Sequence, residues 1–317
     1  MRGQYTLIRL DPVRHRERWG VRRRHWSHWA LGTVSLGSLS LVGCSDPGPG
    51  GTADEARPPA ATRQATSLVF PIDSYQLSEP DRNTVSEAVD ILIRDCMKQS
   101  GHEWRVVRAP QREVNWMNRL RYGVIEIEVA KTYGYRTSAE LLFSDESRQF
   151  RADIKERRSE LTESEWETSW KCRQEADAHI DRGVNVQQTN YQKFRKQSYE
   201  GAQRDPDVVR AVAEWRSCMK DAGFPYASPD AAAEDPRWRQ EEGDPSAYRA
   251  PEEIATAVAD VTCKNKVRLV DRRFAAEKAH GQRIIDGNAA YFSELRVARE
   301  RQLTRARDVI DGDGTKG

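Results

Sequence analysis

From about residue 80 onward, apolar residues recur every three to four positions between charged ones. That period predicts helices with one buried stripe. Between Pro80 and Ser100 the stripe is Val85, Val89, Leu92 and Cys96. Ser78, with Asp81 three residues on, resembles a capping box, and Gly101 ends the helix. A second helix is predicted from Pro206 to about Ala222, with Val208, Val212, Trp215 and Met219 on one face. Asp205 caps it, Pro206 sits in its first turn and Gly223 stops it. Pro251 to about Ile310 is helix-forming for most of its length, with a break expected near Gly281 or Asp286-Gly287. Tyr291, Leu295 and Ala298 form a narrow seam there, which predicts a long helical hairpin or coiled-coil arm. The fold class expected from these patterns is all-α.

Other stretches lack the helical stripe. Leu68-Val69-Phe70-Pro71-Ile72 is apolar and, because of Pro71, expected to be extended and docked on the helices. Val124 to Val129 alternates and would suit a strand; a loop entering a helix at Ile127 is the preferred reading. Asp230 to Ala250 reads as a surface loop and Asp311 to Gly317 as a disordered tail.

The two helices share a repeat. The first ends Cys96-Met97-Lys98, then Gly101 and Trp104; the second ends Cys218-Met219-Lys220, then Gly223 and Tyr226. Each is followed by a later helix with another cysteine: Trp166, Trp170, Cys172, Ala176 and Ile180 in one case, Ile254, Val258, Val261, Cys263 and Val267 in the other. This predicts two related helical units, 69–202 and 203–310. Four cysteines allow three pairings. Pairing within each unit, Cys96–Cys172 and Cys218–Cys263, repeats one staple twice.

The fifth cysteine, Cys44, changes the picture. Leu41-Val42-Gly43-Cys44 closes a weakly apolar run, Trp29 to Val42, behind Arg22, Arg23 and Arg24. The run is too short and too rich in Gly and Ser to span a bilayer. It looks like the lipobox of a bacterial lipoprotein: 1–43 would be the signal peptide and Cys44 the lipidated first residue of the mature protein. The adjacent arginines also permit a twin-arginine export route, though His25-Trp26-Ser27-His28 matches that signal poorly. Residues 44–68, rich in Pro, Gly, Ala and Thr, would be a flexible tether. Lipid on Cys44 leaves an even number of cysteines for an oxidising compartment. The expected location is the extracytoplasmic face of a bacterial cell membrane.

Taken together, Phe70-Pro71-Ile72, the paired Cys-Met-Lys blocks, Tyr122-Gly123 with Tyr133-Gly134, and Ala259-Asp260-Val261-Thr262-Cys263-Lys264 resemble a group of actinobacterial secreted lipoproteins. The resemblance covers most of the chain after the leader. It implies location and architecture, and carries no activity.

Charge and chemistry narrow the function. The whole chain is +2; residues 1–43 hold eight arginines against Asp11 and Glu17, so the rest is slightly acidic. That leaves no electrostatic footprint for nucleic acid. Neither a Gly-x-Ser-x-Gly elbow nor a His-Glu-x-x-His or Cys-x-x-Cys motif occurs, and His102, His179 and His280 are far apart in sequence. No cofactor or metal is expected. Lys98 and Lys220 would lower the pKa of neighbouring thiols in a redox reading; a structural staple at a helix C-terminus is preferred. Glu163, Glu165 and Glu167 offer paired carboxylates for glycan hydrolysis, weighed against a solvated helix face. Trp104, Trp116, Trp166, Trp170, Trp215 and Trp238 would stack on sugars, fill partner pockets or form the core. The leading expectation is a non-enzymatic, lipid-anchored protein binding an envelope protein or cell-wall polymer. The alternatives are a cell-wall glycan hydrolase and a transporter accessory or solute-binding subunit.

Overall fold

Helix caps written into the sequence set the boundaries. In the computed structural model, which describes residues 58–110, 118–137, 140–238 and 250–314, α1 spans Arg63–Thr66 and α2 spans Glu79–Gln99. The Ser78 side chain accepts from the Asp81 N–H at the start of α2. Next come α3, Ile127–Tyr133, α4, Asp145–Glu160, and α5, Glu163–Ile180, which opens on a full capping box of Thr162 and Glu165. After α6, Gln188–Gln203, α7 runs Pro206–Asp221 behind its Asp205 cap. The chain continues through α8, Pro229–Ala233, α9, Pro251–Lys266, α10, Leu269–Gly287, and α11, Ala289–Gly314. The protein is all-α, with no strand among the described residues.

The repeated helix ends close identically. His102 N–H donates to Met97 O at 2.9 Å, and Phe224 N–H to Met219 O at 2.8 Å. Gly101 and Gly223, the residues that turn the chain, have φ of 79° and 89°. This is the Schellman arrangement, which needs a left-handed residue and so selects glycine. Met97 and Met219 are both fully buried. Cys96 is bonded to Cys172 (S–S 2.00 Å) and Cys218 to Cys263 (2.04 Å), so each staple joins a Cys-Met-Lys helix to the later helix of its own half.

Packing partners are less local than the staples. Ala88, Val89, Ile93 and Met97 of α2 meet Cys172, Ala176 and Ile180 of α5, and Ala306 of α11 joins them from the far end of the chain. Conversely, Val129, Ala130 and Tyr133 of α3 pack on Ala257 and Val261 of α9. Trp215 and Met219 of α7 share a cluster with Cys263 and Leu269. The long C-terminal helices lie along the body, α10 chiefly against α6 and α11 against α2. All described residues belong to one compact unit.

Several expectations are corrected in detail. The tether expected to run to Leu68 ends earlier: Ala65 and Leu68 are buried, and Arg119 Nη2 donates to Pro59 O at 2.6 Å. Phe70 is extended, as the residue before proline should be, but Pro71–Tyr75 forms a 3-10 turn. The C-terminal break falls at Asn288. A second break, unexpected from sequence, falls at Arg268, which holds a left-handed conformation (φ 55°, ψ 36°) between α9 and α10. Residues 311–314, expected to be disordered, continue α11, where Arg94 Nη2 meets Asp313 Oδ1 at 2.7 Å. The leader, Cys44 and Trp116 lie outside the described residues.

Candidate functional site

The densest chemistry in the fold is a set of buried charges where the segment 118–136 lies on α9 and α10. On α9, Glu253, Thr256, Asp260 and Lys264 recur at helical spacing and are all essentially inaccessible. Lys264 Nζ sits 2.8 Å from Asp260 Oδ2 and donates to Val124 O at 2.9 Å and Tyr122 O at 3.3 Å. Asp260 Oδ1 accepts from Trp215 Nε1 at 2.9 Å. Burial pushes the Asp260 carboxyl above the usual range, with Lys264 opposing. Glu253 Oε1 accepts from Tyr135 N–H at 3.0 Å and Oε2 pairs with Arg136 at 2.7 Å.

The same logic continues onto α10 and back to the start of the body. Glu277 accepts from the Tyr122 hydroxyl at 2.9 Å and pairs with Arg121; burial first, then Glu277, pushes the Tyr122 hydroxyl well above its ordinary range. Glu126 pairs with Arg119 at 2.5 Å and accepts from Thr62 N–H at 2.6 Å. These side chains seat a largely irregular segment whose backbone polar groups would otherwise be buried without partners. The arrangement fixes geometry; its acids are engaged by cations and backbone donors.

The residues singled out by sequence are scattered by the fold. Glu163 and Glu167 are exposed on α5, and Glu165 accepts from Thr162 N–H at 2.8 Å. Thr162 holds the Glu165 carboxyl below its ordinary range, the opposite direction from the raised value a general acid needs. Trp215 and Trp238 are core residues. Trp104 donates to Asp90 at 3.0 Å beneath Arg157, 4.1 Å from the ring centroid. Tyr226, its counterpart in the repeat, is likewise met by an Asp–Arg pair, donating to Asp235 at 2.7 Å and accepting from Arg237 at 2.7 Å. Trp166 stacks under Arg158 at 3.7 Å, whereas Trp170 stands 52 % exposed. His102 lies 3.8 Å from Glu165, His179 is near Arg182, and His280 packs on Gly201, so among the described residues no two histidines meet.

Open surface depressions among the described residues include three of about 310–420 Å3, all of mixed charge. One of about 420 Å3 lies over Cys218. Lys98 and Lys220 are solvent-exposed beside sulfurs already committed to disulfides. Among the described residues no group of three His, Cys, Asp or Glu is placed to hold a metal, and no helix is long and apolar enough to cross a membrane. No protein family, curated protein or solved structure matches the chain.

Proposed function

We propose that this chain is a lipid-anchored extracytoplasmic protein that acts by binding a partner in the cell envelope, a membrane protein or a cell-wall polymer, and is not an enzyme. The observation that carries the reading is cysteine usage. One cysteine, Cys44, ends a lipobox-like leader, and the other four close into two disulfides, a state favoured outside the reducing cytoplasm. A diacylated cysteine, which the lipoprotein resemblance implies for Cys44, anchors stably where one acyl chain holds only marginally. Among the described residues, the indole of Trp170 is the largest exposed hydrophobic side chain, and tryptophan is enriched at the energetic centres of interfaces.

Membrane fractionation of the host cell with the native chain and with Cys44→Ala tests the anchor. The native protein partitions with membranes and is processed; Cys44→Ala leaves the membrane fraction or remains unprocessed. Equal membrane retention of both would defeat the proposal. For the partner, a photocrosslinker at Trp170 should capture a defined envelope component, and the same probe at exposed Lys196 on α6 should not.

A further inference from the structure

The pairing of buried charges leaves Arg273 of α10 over. Among the described residues six carboxylates are buried, and each is paired with a cation. Three cations are buried. Arg119 pairs with Glu126 and Lys264 with Asp260, whereas Arg273, 3 % exposed, makes no ion pair or hydrogen bond with any described residue. Its Nε is buried without an acceptor. Gln76, Arg195 and Arg299 each keep one such nitrogen too, but their other polar atoms are engaged: Arg195 Nη2 donates to Asn118 Oδ1 at 2.9 Å and Arg299 Nη2 to Gln76 Oε1 at 3.1 Å.

The surroundings are apolar. One turn before Arg273, Leu269 packs with Trp215 and Met219 and Val270 with Phe70 and Tyr122. One turn after it, Ala276 meets Ala202 and Val208. Arg273 therefore occupies the stretch of α10 where three core clusters meet. Glu277, the next acid along the helix, gives its oxygens to Arg121 at 3.1 Å and to the Tyr122 hydroxyl at 2.9 Å. Burial aside, the charges acting on that hydroxyl are Glu277, Arg121 and Arg273, two cations against one acid. An uncompensated charge is strongly disfavoured in an apolar interior, and a guanidinium cannot escape by losing its proton.

We propose that Arg273 is a binding site for a compact monovalent anion of the halide class, held inside the fold where α10 meets the turn at Tyr122. One negative charge matches the one buried cation that lacks a carboxylate, and the guanidinium supplies N–H donors that nothing else uses. Size follows from burial. Arg273 lines none of the depressions named above, and its slight exposure excludes sugars, nucleotides and other bulky anions. The site exists only in the folded chain, so anion binding and folding are linked. Without the anion, a methionine at this position packs better than an unmatched charge; with it, the native arginine gains stability that methionine cannot.

The test is urea unfolding of the native protein and of Arg273→Met while sodium chloride replaces sodium gluconate at constant ionic strength, which holds screening fixed. Gluconate is too bulky for the site. The native unfolding constant should fall saturably, about elevenfold when free chloride reaches roughly ten times its dissociation constant. Arg273→Met should not respond, and should be the more stable of the two in gluconate alone. Crystals of the native protein grown with sodium bromide supply a second measurement that stands even if the variant does not fold. An anomalous scattering peak should lie within hydrogen-bond distance of the Arg273 guanidinium. A chloride response of equal size in both proteins, no response in the native one, or a water molecule in place of bromide at Arg273 would each overturn the proposal.

Discussion

Lys264, 2 % exposed, spends its ammonium on Asp260 and on the carbonyls of Tyr122 and Val124. Removing one member of a buried pair leaves the other charge without compensation, which costs about 3–5 kcal/mol. Lys264→Met should therefore lower unfolding free energy by that amount in urea titration. Adding Asp260→Asn should recover part of the loss, because an amide oxygen still accepts from Trp215 without carrying charge; a double variant no more stable than the single one would refute this. The sequence showed Asp260 and Lys264 only within a stretch resembling a lipoprotein group. In a chain with 32 % charged residues, an i, i+4 acid–base pair looks the same whether solvated or buried. Trp215 was legible as a stripe residue; that its N–H needs Asp260 was not, since the partner lies on another helix.

At the scale of elements, α6 crosses α10 where a Cβ on Gly201 would lie 2.6 Å from His280 Nδ1. Overpacking of this kind typically costs about 1–3 kcal/mol. Gly201→Ala should destabilise the native protein; in a His280→Ala background the same change should stabilise it by about 0.5–1 kcal/mol through helix propensity alone. Desolvation, then Arg283, holds the His280 pKa below its ordinary 6.5, with Asp205 opposing and Arg204 adding to the depression. A depressed folded-state pKa gives stability that is present above the unfolded value and lost as pH falls through the folded one. The stability difference between native protein and His280→Gln should accordingly shift against the native protein between pH 7 and pH 5. A pH-independent difference would contradict that. Helix ends were readable wherever a cap residue and a stripe coincided, as at Ser78 and Asp205. They were unreadable for α4, which buries only Ser147, and for α6, whose crossing face is built from Ser198, Gly201 and Ala202. The Arg268 elbow carries no local signal, because arginine is not a residue that favours φ of 55°.

For the whole molecule, the staples close loops of 76 and 45 residues, each contributing about 4 kcal/mol on a chain-entropy argument. Replacing Cys96 and Cys172 by serine, or Cys218 and Cys263, should each lower stability by about that amount. The two losses should add approximately, since the pairs sit in separate core clusters. The pairing was readable from the repeated Cys-Met-Lys block. The interleaving of the halves was not: α11 covering α2 and α5, and α3 covering α9, are long-range choices made by shape. The broader account, anchored by lipid and stapled in an oxidising space, is tested most directly by intact mass spectrometry of the protein from its host, with alkylation before and after reduction. It predicts a membrane-extracted species beginning at diacylglyceryl-modified Cys44, with no alkylation before reduction and four sites after it. An unprocessed chain in the soluble fraction, alkylated without any reductant, would contradict it.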